Sequence, residues 1–227
     1  METTLEVRWF VKGMLPTLVQ RWFRLECPGK FITKSEVRKD WYGDRKKNNR
    51  FTLKNILSHE VAPQEASLKF RQGNLELKLR NQEFGIHRLT QINDLSACEG
   101  RVEQWCKYDW LELTDFVSVQ DSFDDTSWIG VEKKREQKID WGVKSELTRL
   151  KIDRQSWWTI AFEMNQNNLN RQQYSHFKKL VQKALQTYCG SKLSANNSYG
   201  YSRWLLEFAP QTLPYRQTDI GIRLSNE

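Results

Sequence analysis

The segment Leu75-Glu76-Leu77-Lys78-Leu79-Arg80 alternates strictly between leucines and ionic residues. Successive side chains of a β-strand point to opposite faces, so a strand with this sequence has one apolar face and one charged face. The same alternation occurs in Leu68-Lys69-Phe70-Arg71 and in Thr4-Leu5-Glu6-Val7-Arg8-Trp9. One such strand is typical of any protein surface, but several predict a shared ionic surface. In a closed or strongly curved sheet with helices on its apolar side, that surface would line a groove or tunnel suited to a highly charged anion.

The length and charge of the chain set the outer limits of the interpretation. Its 227 residues are enough for one domain with a substantial core. We expect a single domain over 1–227, with an irregular tail from about residue 210. Lys and Arg number 36 against 28 Asp and Glu, which gives a formal charge of +8. This excess is compatible with an anionic partner and equally compatible with a solvated basic surface.

Several classes of protein are disfavoured by the residues that the sequence lacks. Its four cysteines include no C-x-x-C pair, so neither a zinc site nor a disulfide scaffold is indicated. The three histidines are isolated, and neither a Walker-type glycine loop nor a G-x-S-x-G elbow is present. No apolar run approaches the roughly 20 residues needed to cross a bilayer, and no signal peptide is evident. We therefore expect a cytoplasmic protein.

The pattern of apolar residues predicts mainly strands, together with two helices. The helices would begin near Pro16 and after an N-cap at Asn170. The region 66–80 predicts a hairpin. The other strands are expected near residues 3–12, 31–43, 101–112, 128–138, 145–152, 157–164 and 200–208.

The strand order, the late helix and the ionic alternation together resemble the CYTH superfamily. These are the triphosphate tunnel metalloenzymes related to CyaB-type adenylate cyclases and thiamine triphosphatase. The resemblance spans residues 3 to 208 and includes two further segments. Asp40-Trp41-Tyr42-Gly43-Asp44 is similar to the family's D-x-Y-x-D segment, and Val131-Glu132-Lys133-Lys134-Arg135 is similar to its later basic strand. The resemblance implies an α+β fold, in which an antiparallel β-barrel of about eight strands encloses a tunnel and helices pack outside.

The chain departs from the family's acidic motifs at two positions. The family signature E-x-E-x-K corresponds here to Thr4, Glu6 and Arg8, so its first acid is absent. A later E-x-E strand corresponds to Ala161 and Glu163. Carboxylates are the usual protein ligands of Mg²⁺ and Mn²⁺, so the loss of two of them should weaken metal binding. The basic positions are better kept, which favours anion binding over hydrolysis.

The resemblance implies a set of site residues. The expected contacts to tripolyphosphate or a nucleoside triphosphate are Arg8, Lys69, Arg71, Lys78, Arg80, Lys133, Arg135 and Arg203. The expected ligands of Mg²⁺ or Mn²⁺, or partners that keep basic side chains extended, are Glu6, Glu76, Glu103 and Glu163. With a metal and this basic cluster, water could serve as the nucleophile, so no covalent catalytic residue is assigned.

Other interpretations remain open at the level of the sequence. A non-catalytic module could bind nucleotides or polyphosphate in the same tunnel. A single-stranded nucleic-acid-binding protein would use exposed Trp and Tyr to stack on bases, but Trp9, Trp22, Trp158 and Trp204 fall on apolar faces. The ionic side chains could also form cross-strand salt bridges on an exposed face, each contributing roughly 0–1 kcal/mol. Burial of these side chains distinguishes a tunnel from an exposed face.

Overall fold

A closed β-barrel is the central element of the computed structural model, which describes residues 2–43, 66–71, 74–90, 98–109, 128–166 and 171–208. Within these residues the barrel has eight antiparallel strands: β1 Glu2–Lys12, β2 Lys30–Gly43, β3 Ala66–Arg71, β4 Asn74–Arg88, β5 Glu99–Asp109, β6 Trp128–Asp140, β7 Val143–Ile152 and β8 Gln155–Gln166. Their order around the barrel is β1-β5-β4-β3-β2-β6-β7-β8, and β8 pairs with β1. The predicted antiparallel barrel with external helices is confirmed.

Short turns set the register of the last three strands. Trp141 and Gly142 connect β6 to β7 and both have positive φ, 45° and 84°. This combination is the backbone of a two-residue hairpin turn whose twist matches that of the flanking strands. The alternation of inward and outward side chains is therefore kept through β6, β7 and β8.

The outer face of the barrel carries the larger apolar core. Helices α1 (Thr17–Leu25) and α2 (Arg171–Leu185) pack their apolar sides against it. Trp22 on α1 and Phe177 on α2 are fully buried there, beside Leu5 and Trp158 of the strands. The expected N-cap Asn170 and the tail from residue 210 lie outside the described residues. Among the described residues, no helix is both long and apolar enough to span a membrane.

The prediction of a strand over 200–208 is wrong. This segment is helix α3 (Tyr201–Phe208), preceded by a 3₁₀ turn at Ala195–Asn197. Both edges of β1 are already paired, with β5 and β8, so the closed barrel offers no edge there for another strand. Trp204 and Leu205 of α3 are instead buried against Phe10, at the end of the barrel where β1 finishes and β8 begins.

Candidate anion-binding site in the barrel interior

The charged faces predicted for the strands point into the barrel. Leu5, Val7 and Trp9 of β1 are buried in the outer core, whereas Glu6 and Arg8 line an interior cavity of about 340 Å³. Nine basic and five acidic side chains of the described residues line this cavity. They are Arg8, Arg38, Lys69, Arg71, Lys78, Lys107, Lys133, Arg135, Lys144, Glu2, Glu6, Glu76, Glu146 and Glu163.

Aromatic side chains limit the cavity at the end covered by α3. The ring of Tyr201 lies 3.8 Å from Lys133 Nζ and 4.9 Å from the Arg8 guanidinium carbon. Tyr201 also stacks on Tyr42, with ring centroids 5.4 Å apart. These rings offer their negative faces to the cations and separate them from the apolar layer beneath α3.

Much of the cavity wall is a continuous chain of ion pairs, which we call the ionic chain. It begins with Lys78 Nζ, 2.5 Å from Glu6 Oε2. Glu6 Oε1 is 2.7 Å from Arg8 Nε, and Arg8 Nη1 is 2.9 Å from Glu146 Oε1. This half joins β4, β1 and β7, and in it two cations alternate with two carboxylates.

The ionic chain continues through β6 and β2. Arg135 Nη1 lies 3.4 Å from Glu146 Oε2, and its other guanidinium nitrogens bind Glu36. Glu36 also accepts a hydrogen bond from Arg38, at 2.7 Å. Asp40 then makes close ion pairs with Arg38 at 3.0 Å and Lys133 at 2.9 Å. In total, five cations alternate with four carboxylates.

The pKa values reflect this pairing. Burial raises the pKa of Glu6, but Lys78 and Arg8 outweigh it and lower the pKa to about 2. Glu146 is held well below its ordinary pKa in the same way, mainly by Arg8 and Arg135 against burial. At the other end of the ionic chain, burial lowers the pKa of Lys133 to about 7, and the positive Lys69 and Arg38 reinforce this against the attraction of Asp40.

A second group, which we call the Glu76 cluster, has a different balance of charge. Three cations from β3 and β5 surround one carboxylate of β4: Lys69 Nζ is 2.6 Å from Glu76 Oε1, and Arg71 Nη2 is 3.1 Å from Oε2. Lys107 Nζ lies 3.7 Å from the same Oε2 and 3.3 Å from the exposed Asp109. Burial lowers the pKa of Lys69 and Arg71 reinforces this, against the attraction of Glu76 and Asp40. With the exposed Asp109 counted, three cations face two carboxylates, and only Glu76 of the two is buried.

The structure brings most of the predicted phosphate contacts together. Six of the eight line the cavity, and two do not. Arg80 binds Glu103 and Glu83, at 2.9 and 3.0 Å, outside the lining residues. Arg203 lies on α3 with 41% of its side chain exposed, and pairs with Glu207 at 2.6 Å.

Several lining residues were missed by the sequence analysis. Arg38 lies two residues from Asp40, and Lys107 two residues from Trp105, on predicted strands. Residues two apart share a strand face, so this alternation could have identified both. Glu146 follows the same rule on β7. Strand alternation could not identify Tyr201, because its segment was predicted as a strand and is a helix.

The predicted metal ligands do not form a prepared site for Mg²⁺ or Mn²⁺. Both oxygens of Glu6 and both of Glu76 contact cations. Glu103 binds Arg80 and accepts a hydrogen bond from Trp105. Glu163 lies directly opposite Glu6 in the β1–β8 pair, and its pKa is raised by burial and by the charge of Glu6 despite nearby Lys78. Across the described residues, no group of three or more His, Cys, Asp or Glu is placed to hold a metal ion.

Comparisons with known proteins give similarities of fold only. No family model matches the chain, and no curated protein matches it significantly. A conserved hypothetical protein from Pyrococcus furiosus is 12% identical, with 88% of this chain and 98% of that one covered and a TM-score of 0.41. The PH1012 protein from Pyrococcus horikoshii OT3 is 12% identical, with 89% and 98% covered and a TM-score of 0.43. The putative adenylyl cyclase HpAC1 from Hippeastrum, described as having a dominant triphosphatase activity, is 15% identical, with 85% and 93% covered and a TM-score of 0.42. At this level the similarities carry no argument about activity.

Proposed function

We propose that the barrel interior binds a phosphate-rich anion such as tripolyphosphate or a nucleoside triphosphate. The observation that carries the proposal is the Glu76 cluster, in which one carboxylate is shared by Lys69, Arg71 and Lys107 beside a cavity of about 340 Å³. Excess positive charge in a partly dehydrated cavity destabilises the fold unless an anion offsets it. A phosphate-rich ligand supplies several negative oxygens in a small volume.

The basic side chains offer two kinds of phosphate contact. Arg71 can direct two N–H groups at two oxygens of one phosphate group, whereas Lys69 and Lys107 act as compact charges. Lys78 lines the same cavity and is the next inward-facing residue after Glu76 on β4. A ligand longer than one phosphate would reach from the Glu76 cluster towards Lys78, so we expect a chain of phosphates to bind more tightly than a single phosphate.

Binding is better supported than hydrolysis, because most of the carboxylates are engaged by cations. Hydrolysis with Mg²⁺ or Mn²⁺ is the second candidate, and one observation favours it. Glu163 lines the cavity beside Glu6 and makes no ion pair with another described residue. The nucleic-acid alternative has less support, since Trp9, Trp22, Trp158 and Trp204 are all buried in the cores.

Calorimetric titration with tripolyphosphate tests the proposal. We expect saturable binding by the wild type, and a loss of about tenfold or more in affinity for Arg71→Ala, since a hydrogen bond to a charged group contributes about 1.5–3 kcal/mol. Arg154→Ala is the matched control, because Arg154 lies exposed in the β7–β8 turn. Equal affinity of the two variants, or no binding by the wild type, would contradict the proposal.

Two further measurements separate the candidate functions. Phosphate release from tripolyphosphate, ATP and thiamine triphosphate with Mg²⁺ or Mn²⁺ would favour the hydrolase, provided that Glu163→Gln abolishes it. Binding of single-stranded RNA that falls steeply with salt and is not displaced by tripolyphosphate would favour the nucleic-acid-binding protein instead.

A further inference from the structure

We infer that Glu76 is an internal counter-ion that occupies the position of a ligand phosphate, and that the ligand displaces it without needing a divalent metal. This inference rests on the proposed function, because it specifies how a phosphate-rich anion enters the barrel. It gives Glu76 a role opposite to that of a metal ligand.

The position of Glu76 is that of a bound anion. Its side chain is 8% exposed, and its two oxygens contact three different cations at 2.6, 3.1 and 3.7 Å. Glu76 lies directly opposite Lys69 in the β3–β4 pair, so the hairpin register itself holds the carboxylate among the cations. Burial raises the pKa of Glu76, but Lys69, Arg71 and Lys107 outweigh it and lower the pKa below its ordinary value, which favours the ionised carboxylate.

A phosphate group and the Glu76 carboxylate would compete for the same cations. A phosphate held by Lys69 and Arg71 would lie next to the carboxylate, and like charges in contact within a partly buried site repel strongly. The ligand brings more negative oxygens than one carboxylate, so it is the stronger partner for three cations. Its binding therefore requires the Glu76 side chain to leave the cluster, which lowers the apparent affinity of the wild type.

The same geometry argues against Glu76 as a ligand of Mg²⁺ or Mn²⁺. A metal ligand must direct an oxygen at the ion, whereas both Glu76 oxygens are bound by cations that would repel a divalent ion. The two roles predict opposite effects of removing the charge. Without a competing carboxylate the anion binds more tightly, and without a metal ligand it binds more weakly.

The test is calorimetric titration of tripolyphosphate into Glu76→Gln and wild type in the presence of EDTA. We expect measurable binding by the wild type without metal. The variant should bind about tenfold more tightly, because one competing negative charge is removed. Glu132→Gln is the matched control, because it changes the net charge equally on a side chain that is 58% exposed and pairs weakly with Lys151 at 3.8 Å. Its affinity should stay within twofold of the wild type.

The outcomes separate this inference from the proposed function. Wild-type binding that needs Mg²⁺ and weakens in Glu76→Gln would overturn the inference and leave the proposed function intact. No wild-type binding in either condition would remove both. If Glu76→Gln does not fold, Glu76→Asp retains the charge but withdraws the carboxylate by one carbon. A smaller gain in affinity is then expected, and a loss would overturn the inference.

Discussion

The ionic chain and the Glu76 cluster both contribute to the wall of one cavity but differ in how their charges are arranged. In the ionic chain, four carboxylates alternate with five cations, and most of its members are bound on two sides. In the Glu76 cluster, three cations share one buried carboxylate. Alternation gives most charges of the ionic chain two opposite partners, whereas the cations of the Glu76 cluster share a single buried carboxylate.

Removal of Arg8 should have the largest effect on stability. Arg8→Met would leave the buried Glu6 and Glu146 with one cation fewer each, and the loss of one partner from a buried ion pair typically costs about 3–5 kcal/mol. We expect the free energy of unfolding, measured with urea at pH 7, to fall by about this amount.

Arg71→Met is the matched comparison in the Glu76 cluster. It removes a cation that is 28% exposed and leaves Glu76 with Lys69 and Lys107, so the expected loss is below about 1 kcal/mol. Equal losses in the two variants would show that the two groups do not differ in the way proposed.

The next effect is a dependence of the free energy of unfolding on pH, caused by Lys133 at the end of the ionic chain. The folded protein lowers the pKa of Lys133 from 10.5 to about 7, chiefly by burial. Between these values the unfolded chain holds a proton on Lys133 that the folded protein has lost, so stability should rise with pH. The slope for one proton is about 1.4 kcal/mol per pH unit.

Urea unfolding from pH 7 to 9 measures this slope. The wild type should gain stability relative to Lys133→Met, in which the titrating group is absent. Parallel pH profiles would show that Asp40, 2.9 Å away, keeps the Lys133 ammonium charged through this range.

The fold could be predicted because its signal is periodic. Strict alternation in Leu75–Arg80 identifies both the strand and its inward face, and the segments 4–9 and 68–71 follow the same pattern. The helix α3 was missed because Tyr201–Phe208 is short and rich in aromatic residues, which suit a strand equally well. Only the closure of the barrel by β1 and β8 leaves this segment without a strand to pair with.

The types of residue that line the candidate site could be predicted, but the ion pairs between them could not. The alternation of side chains along each strand predicts that Lys69, Arg71 and Glu76 share one surface. The sequence does not reveal which cation pairs with which carboxylate. That depends on the register between strands distant in the chain, such as β4 and β5, where Lys78 faces Lys107. The distinction between alternating charges and a cluster around one buried carboxylate therefore emerges only from the closed barrel.

The smallest expected effect concerns Arg203, a basic residue that belongs to neither group. The sequence predicted a phosphate contact there, whereas α3 places the side chain beside Glu207 at 2.6 Å and over the ring of Tyr199 at 5.3 Å. An exposed pair of this kind contributes about 0.3–0.5 kcal/mol, so Arg203→Ala should change the free energy of unfolding by no more than that. Its affinity for tripolyphosphate should stay within twofold of the wild type in the same calorimetric titration. A tenfold loss would mean that the ligand extends to α3, and that the Glu76 cluster is only one part of a longer phosphate-binding surface.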